Sequence, residues 1–172
     1  FEAEKPKHER IDRKDWNYQD PNPKAEMFYA LTPITAMCGF RSFEEASELL
    51  KTAIPVFYSD HISEVGSVFE LFDKLYRMDE DLRSFAQAEL LKNCALLPPD
   101  VRAVVRELCD RFFGDPGVFC PLLLNIVHLE PGQAVYLKPR VLHAYVSGNG
   151  VELMNNSDNV LRAGLTSKHM DL

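Results

Sequence analysis

The chain has 172 residues, 46% of them hydrophobic and 26% charged, a composition that excludes a disordered chain and suffices for a buried core. Its formal net charge of −7 argues against a nucleic-acid partner, because phosphate binding needs a basic surface. No apolar run approaches the roughly 20 residues that cross a bilayer, and the charged start predicts neither a signal peptide nor a membrane partner. Four cysteines without metal-type spacing predict buried free thiols and a cytoplasmic location.

The first β-type segment follows a polar stretch that contains several prolines. Residues 1–25 lack hydrophobic periodicity and predict a loop. From Glu26 to Phe40, two short runs of apolar and aromatic residues are separated by Pro33, so the pattern predicts two strands joined by a turn. Glu26 is the carboxylate at the start of this segment, and its ordinary role would be an exposed charge on a strand edge.

The middle of the chain changes to helical periodicity at Ser42. Ser42 and Glu45 form a capping-box pattern, in which both side chains bind backbone N–H groups left free at a helix start. Apolar residues at helical spacing predict further helices over about 63–77 and 79–94, and another that begins at Pro98. The helix over 79–94 is expected to bury Leu82, Phe85, Ala86 and Leu90.

The end of the chain returns to strand patterns. A buried strand is predicted over 121–127, a second over 134–137 and a third over 143–146, followed by a glycine-containing turn at 147–150. The order of strands, helices and strands predicts an α+β fold, with one sheet or barrel interrupted by a helical unit.

The last thirty residues concentrate the side chains that could carry chemistry. His143 and Tyr145 point to the same side of an extended strand. The glycine-flanked turn that follows could return Glu152 to the neighbourhood of His143. Asp158, Arg162 and Lys168 then follow within one short connection. A metal ligand, two carboxylates and two cations in one run predict a site for an anionic, oxygen-rich substrate, and the residues are His143, Tyr145, Glu152, Asp158, Arg162 and Lys168.

Each of these residues also has an ordinary structural role. A lone histidine on a strand is more often a surface or hydrogen-bonded residue than a ligand. Asp158 suits turn capping within the Asn-Ser-Asp-Asn run, and Arg162 with Lys168 suits a solvated surface pair. Gly164 indicates a tight backbone that would hold Arg162 in place. Phosphate-loop, nucleotide-fold and Ser-His-Asp signatures are absent from the sequence.

Seven runs of the sequence resemble the type I mannose-6-phosphate isomerases, also called phosphomannose isomerases. The longest similar run is Asn156–Thr166, and the next is Tyr18–Met27. The other five are Ala30–Ile34, Cys38–Arg41, Pro121–Asn125, Leu129–Ala134 and His143–Gly148. The resemblance covers nearly the whole chain and is weakest in the helical middle.

This resemblance implies a fold and an activity. The fold is a cupin-type β-barrel whose parts lie in residues 1–41 and 118–172, with residues 42–117 as an inserted helical domain. The activity is the zinc-dependent interconversion of mannose 6-phosphate and fructose 6-phosphate. In the family, zinc is held by a Gln and a His of a Gln-x-His strand, by a Glu of a His-Lys-Pro-Glu motif and by a later His.

The family's site residues can be carried over to this sequence. Glu26 and His143 match two of the four metal ligands, and Lys24 matches the active-site lysine. Tyr145 and Lys168 match pocket residues that bind substrate. The residues that the resemblance associates with catalysis are Lys24, Glu152, Asp158 and Arg162, with Arg162 as the candidate for assisting proton transfer or binding the anionic substrate.

Two features differ from the family pattern. The His-Lys-Pro-Glu motif reads Pro-Lys-Ala-Glu at 23–26, and no Gln-x-His occurs in the 172 residues. The chain is therefore expected to be the central part of a longer, monomeric enzyme and to be inactive by itself. Two alternatives stay open: a non-catalytic cupin-like module that binds sugar phosphate, and a helical interaction protein that uses residues 42–113.

Overall fold

The structure, a computed structural model, describes residues 18–166. These residues divide into two compact units. The first comprises 18–35, 128–141 and 147–166, and the second comprises 36–127 and 142–146. Helices and two three-stranded sheets together make the fold α+β, as the order of patterns along the chain predicts.

The strands flank the helices in the chain. They are β1 (Glu26–Ala30), β2 (Ile34–Phe40), β3 (Leu124–Leu129), β4 (Ala134–Leu137), β5 (His143–Ser147) and β6 (Gly150–Met154). One sheet has the order β4-β1-β6 and the other has the order β3-β2-β5. The predicted strands on both sides of Pro33 are confirmed, but they do not pair with each other, because β1 and β2 belong to different sheets.

Strand β1 is the centre of an antiparallel sheet in the first unit. Its Phe28 lies opposite Val135 of β4 and Glu152 of β6. One face of this sheet is buried, with Phe28, Ala30 and Leu137 all less than 9% exposed. That face anchors the sheet, since burial of apolar side chains is the main favourable term in folding.

Strand β6 is absent from the sequence-based prediction, which has only a turn at 147–150. The turn is confirmed, and Gly148 has φ +102°, a conformation that L side chains rarely adopt. A Cβ at Gly148 would collide with the Pro33 carbonyl oxygen and with Ile34. The carbonyl of Asn149 accepts hydrogen bonds from the backbone N–H groups of Leu31 and Thr32 at 2.9 and 3.1 Å. These bonds bring the chain back alongside β1.

The second unit contains the helices. The longer ones are α1 (Phe43–Ala53), α2 (Val68–Tyr76), α3 (Glu80–Asn93) and α4 (Pro99–Phe112). Shorter helical turns lie at Pro55–Phe57, Tyr58–Ile62, Cys94–Leu96, Pro116–Phe119 and Cys120–Leu123. The capping box at the start of α1 is confirmed, because the Ser42 side chain accepts from the Glu45 N–H and the Glu45 side chain accepts from the Ser42 N–H.

Two details of this region differ from the prediction. Phe85 is 47% exposed, whereas Gln87 is fully buried on α3. The Gln87 side-chain amide donates to the Asp115 carbonyl at 3.0 Å, and its oxygen accepts from the Gly114 N–H at 2.9 Å. A polar side chain that satisfies two backbone groups therefore takes the inward position, and the large aromatic ring lies outside.

The apolar run that predicts a buried strand over 121–127 is only half strand. Its first part is the helical turn Cys120–Leu123, and β3 begins at Leu124. Helical structure thus continues past residue 117. Periodicity alone cannot separate a short buried strand from a buried helical turn.

All four cysteines are free, and Cys94, Cys109 and Cys120 are buried. Burial raises the pKa of both Cys109 and Cys120 to about 11. Residues 18–166 contain no helix with the length and apolar character that a bilayer crossing requires.

Candidate metal and substrate site

Glu26 and Glu152 lie on the same face of the first unit's sheet. In the β1–β6 register Glu26 is opposite Met154 and Phe28 is opposite Glu152. Directly opposed residues share a face, as do residues two apart in one strand, so the two carboxylates are diagonal neighbours. The Glu26 side chain is 14% exposed, and Glu152 is exposed.

His143 and Tyr145 lie on β5 and face the same way, as the strand pattern predicts. Their ring centroids are 5.7 Å apart with an interplanar angle of 60°. Both residues are half-buried. The contact between the rings restricts the orientation of the imidazole.

Glu26, His143 and Glu152 form a group that could hold a metal ion. Each offers one ligand atom, and these atoms all lie within 4.8 Å of one another. The sequence analysis expects Glu26 and His143 to share one ion, and both belong to this group. Sequence reasoning placed Glu152 near His143 but did not identify it as a third donor. One nitrogen and two oxygen donors suit a borderline cation such as Zn²⁺, which is bound by imidazole and carboxylate groups.

Lys24 lies close to the first of these carboxylates. Its ammonium nitrogen is 3.8 Å from a Glu26 carboxylate oxygen, and the two side chains are only 15% and 14% exposed. The ammonium group also supplies a fixed positive charge beside the donor group.

The segment that leads to Lys24 and Glu26 is held by Asn159. Its side-chain oxygen accepts from the backbone N–H groups of Gln19 and Asp20 at 2.7 and 3.2 Å. Its amide donates to the carbonyls of Asp20 and Asn22 at 2.9 and 3.2 Å. One side chain thus uses its full hydrogen-bonding capacity to bind residues 19–22.

Asp20 binds back across the same junction. Its carboxylate accepts from the Asn22 N–H at 2.8 Å, from the Asp158 N–H at 3.0 Å and from the Ser157 hydroxyl at 3.1 Å. Partial loss of water raises the pKa of Asp20, but these hydrogen bonds stabilise the ionised form, and the net result is a pKa below its ordinary value. Sequence reasoning missed this junction, although two runs rich in Asn and Asp are typical of side chains that bind backbone.

The remaining expected site residues lie near or beyond the end of the described chain. Asp158 is exposed, Arg162 is half-buried, and neither belongs to the donor group found among residues 18–166. Gly164 has φ +126° and Leu165 has φ 55°, so the tight backbone expected after Arg162 is confirmed. Lys168 lies outside the described residues.

The α+β fold carries a His/Glu/Glu group that could hold a metal ion. Comparisons with known proteins show what the chain is similar to. No family model matches the chain. The mannose-6-phosphate isomerase of Escherichia coli is 40% identical over 168 residues, which are 94% of this chain and 42% of that protein. The rat mannose-6-phosphate isomerase is 35% identical over 188 residues, 91% of this chain and 42% of its own length.

Solved structures give the same result. A zinc-bound holo mannose 6-phosphate isomerase matches with a TM-score of 0.81 and 37% identity, over 98% of this chain and 45% of that one. A mutant phosphomannose isomerase from Salmonella typhimurium matches with a TM-score of 0.84 and 36% identity. The match covers 99% of this chain and 45% of that one. The chain is thus similar in sequence and in structure to part of these mannose-6-phosphate isomerases. It spans about two fifths of the length of the relatives that it matches.

Proposed function

We propose that this chain is part of a zinc-dependent aldose–ketose isomerase that interconverts mannose 6-phosphate and fructose 6-phosphate. The observation that carries the proposal is the convergence of Glu26, His143 and Glu152 in a chain 40% identical to an isomerase of that name. The substrate class follows from the same relatives. A sugar phosphate is anionic and rich in oxygen, as the charges of the last thirty residues would require.

The proposed architecture is a cupin-type β-barrel with a helical insertion. Residues 1–41 and 118–172 would contribute barrel strands, and residues 42–117 would form the inserted domain. In support, β1 and β2 precede the helices in the chain and β3 to β6 follow them. We also propose a monomeric protein of the reducing cytoplasm, where the four free thiols would persist.

Glu26 and His143 would be metal ligands, and the relatives' additional length would supply the rest of the coordination shell. Zn²⁺, when bound, supplies a redox-inert Lewis acid for sugar oxygens and developing negative charge. Lys24, 3.8 Å from Glu26, would present a positive charge to the substrate. Tyr145, in contact with the His143 ring, would bind substrate and orient the ligand.

The reaction moves a proton between C1 and C2 of the sugar, so the site needs a base. Glu152 and Asp158 are the two candidates, and a well-placed general base contributes roughly 10²–10⁴-fold. Arg162 would bind the anionic substrate through its bidentate fork or assist the proton transfer, and Lys168 would add a point charge.

The proposal is tested in a protein extended to the length of the relatives. The formation of fructose 6-phosphate from mannose 6-phosphate is measured in three states of the protein: untreated, after a chelator has removed the metal, and after Zn²⁺ has been added back. Bound zinc is measured by elemental analysis. Glu26→Gln and His143→Asn should lose both zinc and turnover, whereas His128→Asn, an exposed histidine that contacts Thr35, should keep both.

Variants of the extended protein also test the roles proposed for individual residues. Arg162→Ala should lower kcat/KM while zinc remains bound, and an unchanged kcat/KM would refute the role given to Arg162. The isolated 172-residue chain should show no turnover, because it matches only about two fifths of the length of the relatives.

The altered 23–26 motif favours one alternative, a sugar-phosphate-binding module without catalysis. Tight substrate binding by the extended protein, with zinc present and no turnover, would support that alternative.

A further inference from the structure

The side-chain amide of Asn125 binds three consecutive carbonyl groups. Asn125 lies on β3 and is half-buried. Its nitrogen donates to the carbonyls of Cys38, Gly39 and Phe40 at 3.5, 3.1 and 3.0 Å. An amide has two N–H hydrogens, so at least one of them is shared between acceptors. In an extended strand successive carbonyl groups point in opposite directions, so one donor cannot reach three in a row. The end of β2 is therefore curled around this amide.

Gly39 is the point at which β2 bends. It has φ 66°, in the left-handed region that favours glycine, and a glycine inside a strand often marks a bulge or a bend. From this bend the Gly39 N–H donates to the Leu142 carbonyl at 2.9 Å. Leu142 directly precedes His143, the first residue of β5. The backbone position of His143 is thus tied to the bend in β2.

These hydrogen bonds cross the β3-β2-β5 sheet, in which β2 is the middle strand. Asn125 connects β3 to the end of β2, and Gly39 connects β2 to the residue before His143. All of these residues belong to the second unit. β5 has a further contact near its other end, where the Arg111 guanidinium donates to the Val146 carbonyl at 3.4 Å. Loss of the Asn125 amide should therefore release the end of β5 that carries His143 without detaching the strand.

We propose that Asn125 is a positioning residue for His143, the residue that the proposed function makes a zinc ligand. It acts through the backbone of β2 and β5 rather than by binding the metal. An imidazole nitrogen must lie about 2.0–2.1 Å from zinc, so a small displacement of the His143 backbone weakens the bond. Groups that orient metal ligands typically contribute roughly 10- to 100-fold to metal affinity. The inference rests on the proposed function for the identity of the ligand, whereas the hydrogen bonds that carry it do not.

The first experiment measures the bend in the 172-residue chain without metal, as exchange of the Gly39 amide hydrogen followed by NMR. In the unsubstituted chain this amide should exchange at least about 100-fold more slowly than an unprotected one. Asn125→Ala should speed its exchange at least about 10-fold, and Asn125→Ser, which keeps one donor, should speed it less. An unprotected Gly39 amide in the unsubstituted chain, or one that is indifferent to both substitutions, would overturn the proposal.

Asn93→Ala is the matched control. Asn93 is half-buried and lies in the same unit, and its side-chain amide donates to one backbone carbonyl, that of Ala53, at 3.1 Å. This variant removes an asparagine amide from a helix end instead of from the sheet. It should leave the exchange of the Gly39 amide unchanged.

The second experiment measures the zinc dissociation constant of the extended protein by competition with a chromogenic chelator. Asn125→Ala should weaken zinc binding about 10-fold, whereas Asn93→Ala should leave it unchanged. Turnover by Asn125→Ala should recover as free zinc is raised above the new dissociation constant, because the groups that bind substrate are intact. Unchanged zinc affinity in Asn125→Ala would refute the positioning role. An equal loss in Asn93→Ala would refute it too, since the effect would then be one of general destabilisation.

The unsubstituted extended protein separates this inference from the proposed function. If that protein binds no zinc, the proposed function fails, and the positioning of a zinc ligand fails with it. If it binds zinc and interconverts the two sugar phosphates, but its zinc affinity does not depend on Asn125, only the positioning role is wrong.

Discussion

Asn159→Ala should release residues 19–22, the segment that leads into Lys24 and Glu26. The Asn159 side chain makes four hydrogen bonds to backbone groups of this segment, at 2.7, 3.2, 2.9 and 3.2 Å. Alanine can replace none of them. Two N–H groups and two carbonyl groups would then need water or new partners.

The expected cost follows from the number and position of these bonds. A typical hydrogen bond contributes about 1 kcal/mol net, so four bonds give an upper value of about 4 kcal/mol. The segment is only partly buried, and the released groups can regain water, which lowers the expected local loss to about 2–3 kcal/mol. A loss of this size speeds amide exchange through local opening by roughly 30- to 150-fold.

Hydrogen–deuterium exchange of residues 19–22 measures this effect directly. Asn155→Ala is a matched control, because the Asn155 side chain makes one long bond, of 3.4 Å, to the Pro23 carbonyl. That variant should change the exchange of the segment by no more than a few-fold. Equal exchange in the two variants would show that Asn159 does not hold the segment.

Three further predictions concern pH, thiol chemistry and backbone conformation. Asp20 has a lowered pKa in the folded chain, so its contribution to stability is fully present above its ordinary pKa and is lost as the pH falls through the lowered value. Asp20→Asn should therefore flatten the acid side of the stability profile measured by denaturant unfolding. Cys109 and Cys120, with pKa values of about 11, should stay unreactive to a neutral thiol reagent at pH 8 and react after unfolding. Gly148→Ala should destabilise the chain by at least about 2 kcal/mol more than Gly114→Ala, in thermal or denaturant unfolding.

Each of these predictions has a clear contrary outcome. If the stability of Asp20→Asn depends on pH as that of the unsubstituted chain does, another group causes the loss of stability in acid. Rapid labelling of Cys109 or Cys120 in the folded chain would contradict their burial. Gly114 also has a positive φ, of 92°, but a Cβ there meets nothing within 4 Å, whereas one at Gly148 collides with Pro33. Equal losses at the two glycines would show that conformation, not the collision, decides.

Part of the fold follows from local chemistry and is readable along the chain. The capping box of Ser42 and Glu45 starts a helix because both partners lie within one turn of it. The alternation on β5 places His143 and Tyr145 on one side because side chains in an extended strand have a period of two. Such features depend on neighbours in sequence, so the sequence determined them by itself.

Other features depend on residues that meet only in the folded chain. β6 pairs with β1 although more than a hundred residues separate the two strands in sequence. That pairing places Glu152 on the same face of the sheet as Glu26, where it is the third donor of the group. The same holds for Asn159 and its bonds to residues 19–22. Gln87 replaces Phe85 in the interior because the carbonyl and N–H groups it satisfies come from another segment. Spacing along the chain carries no information about such partners, because register and burial are set by the packing of distant segments, and only the tertiary structure decided them.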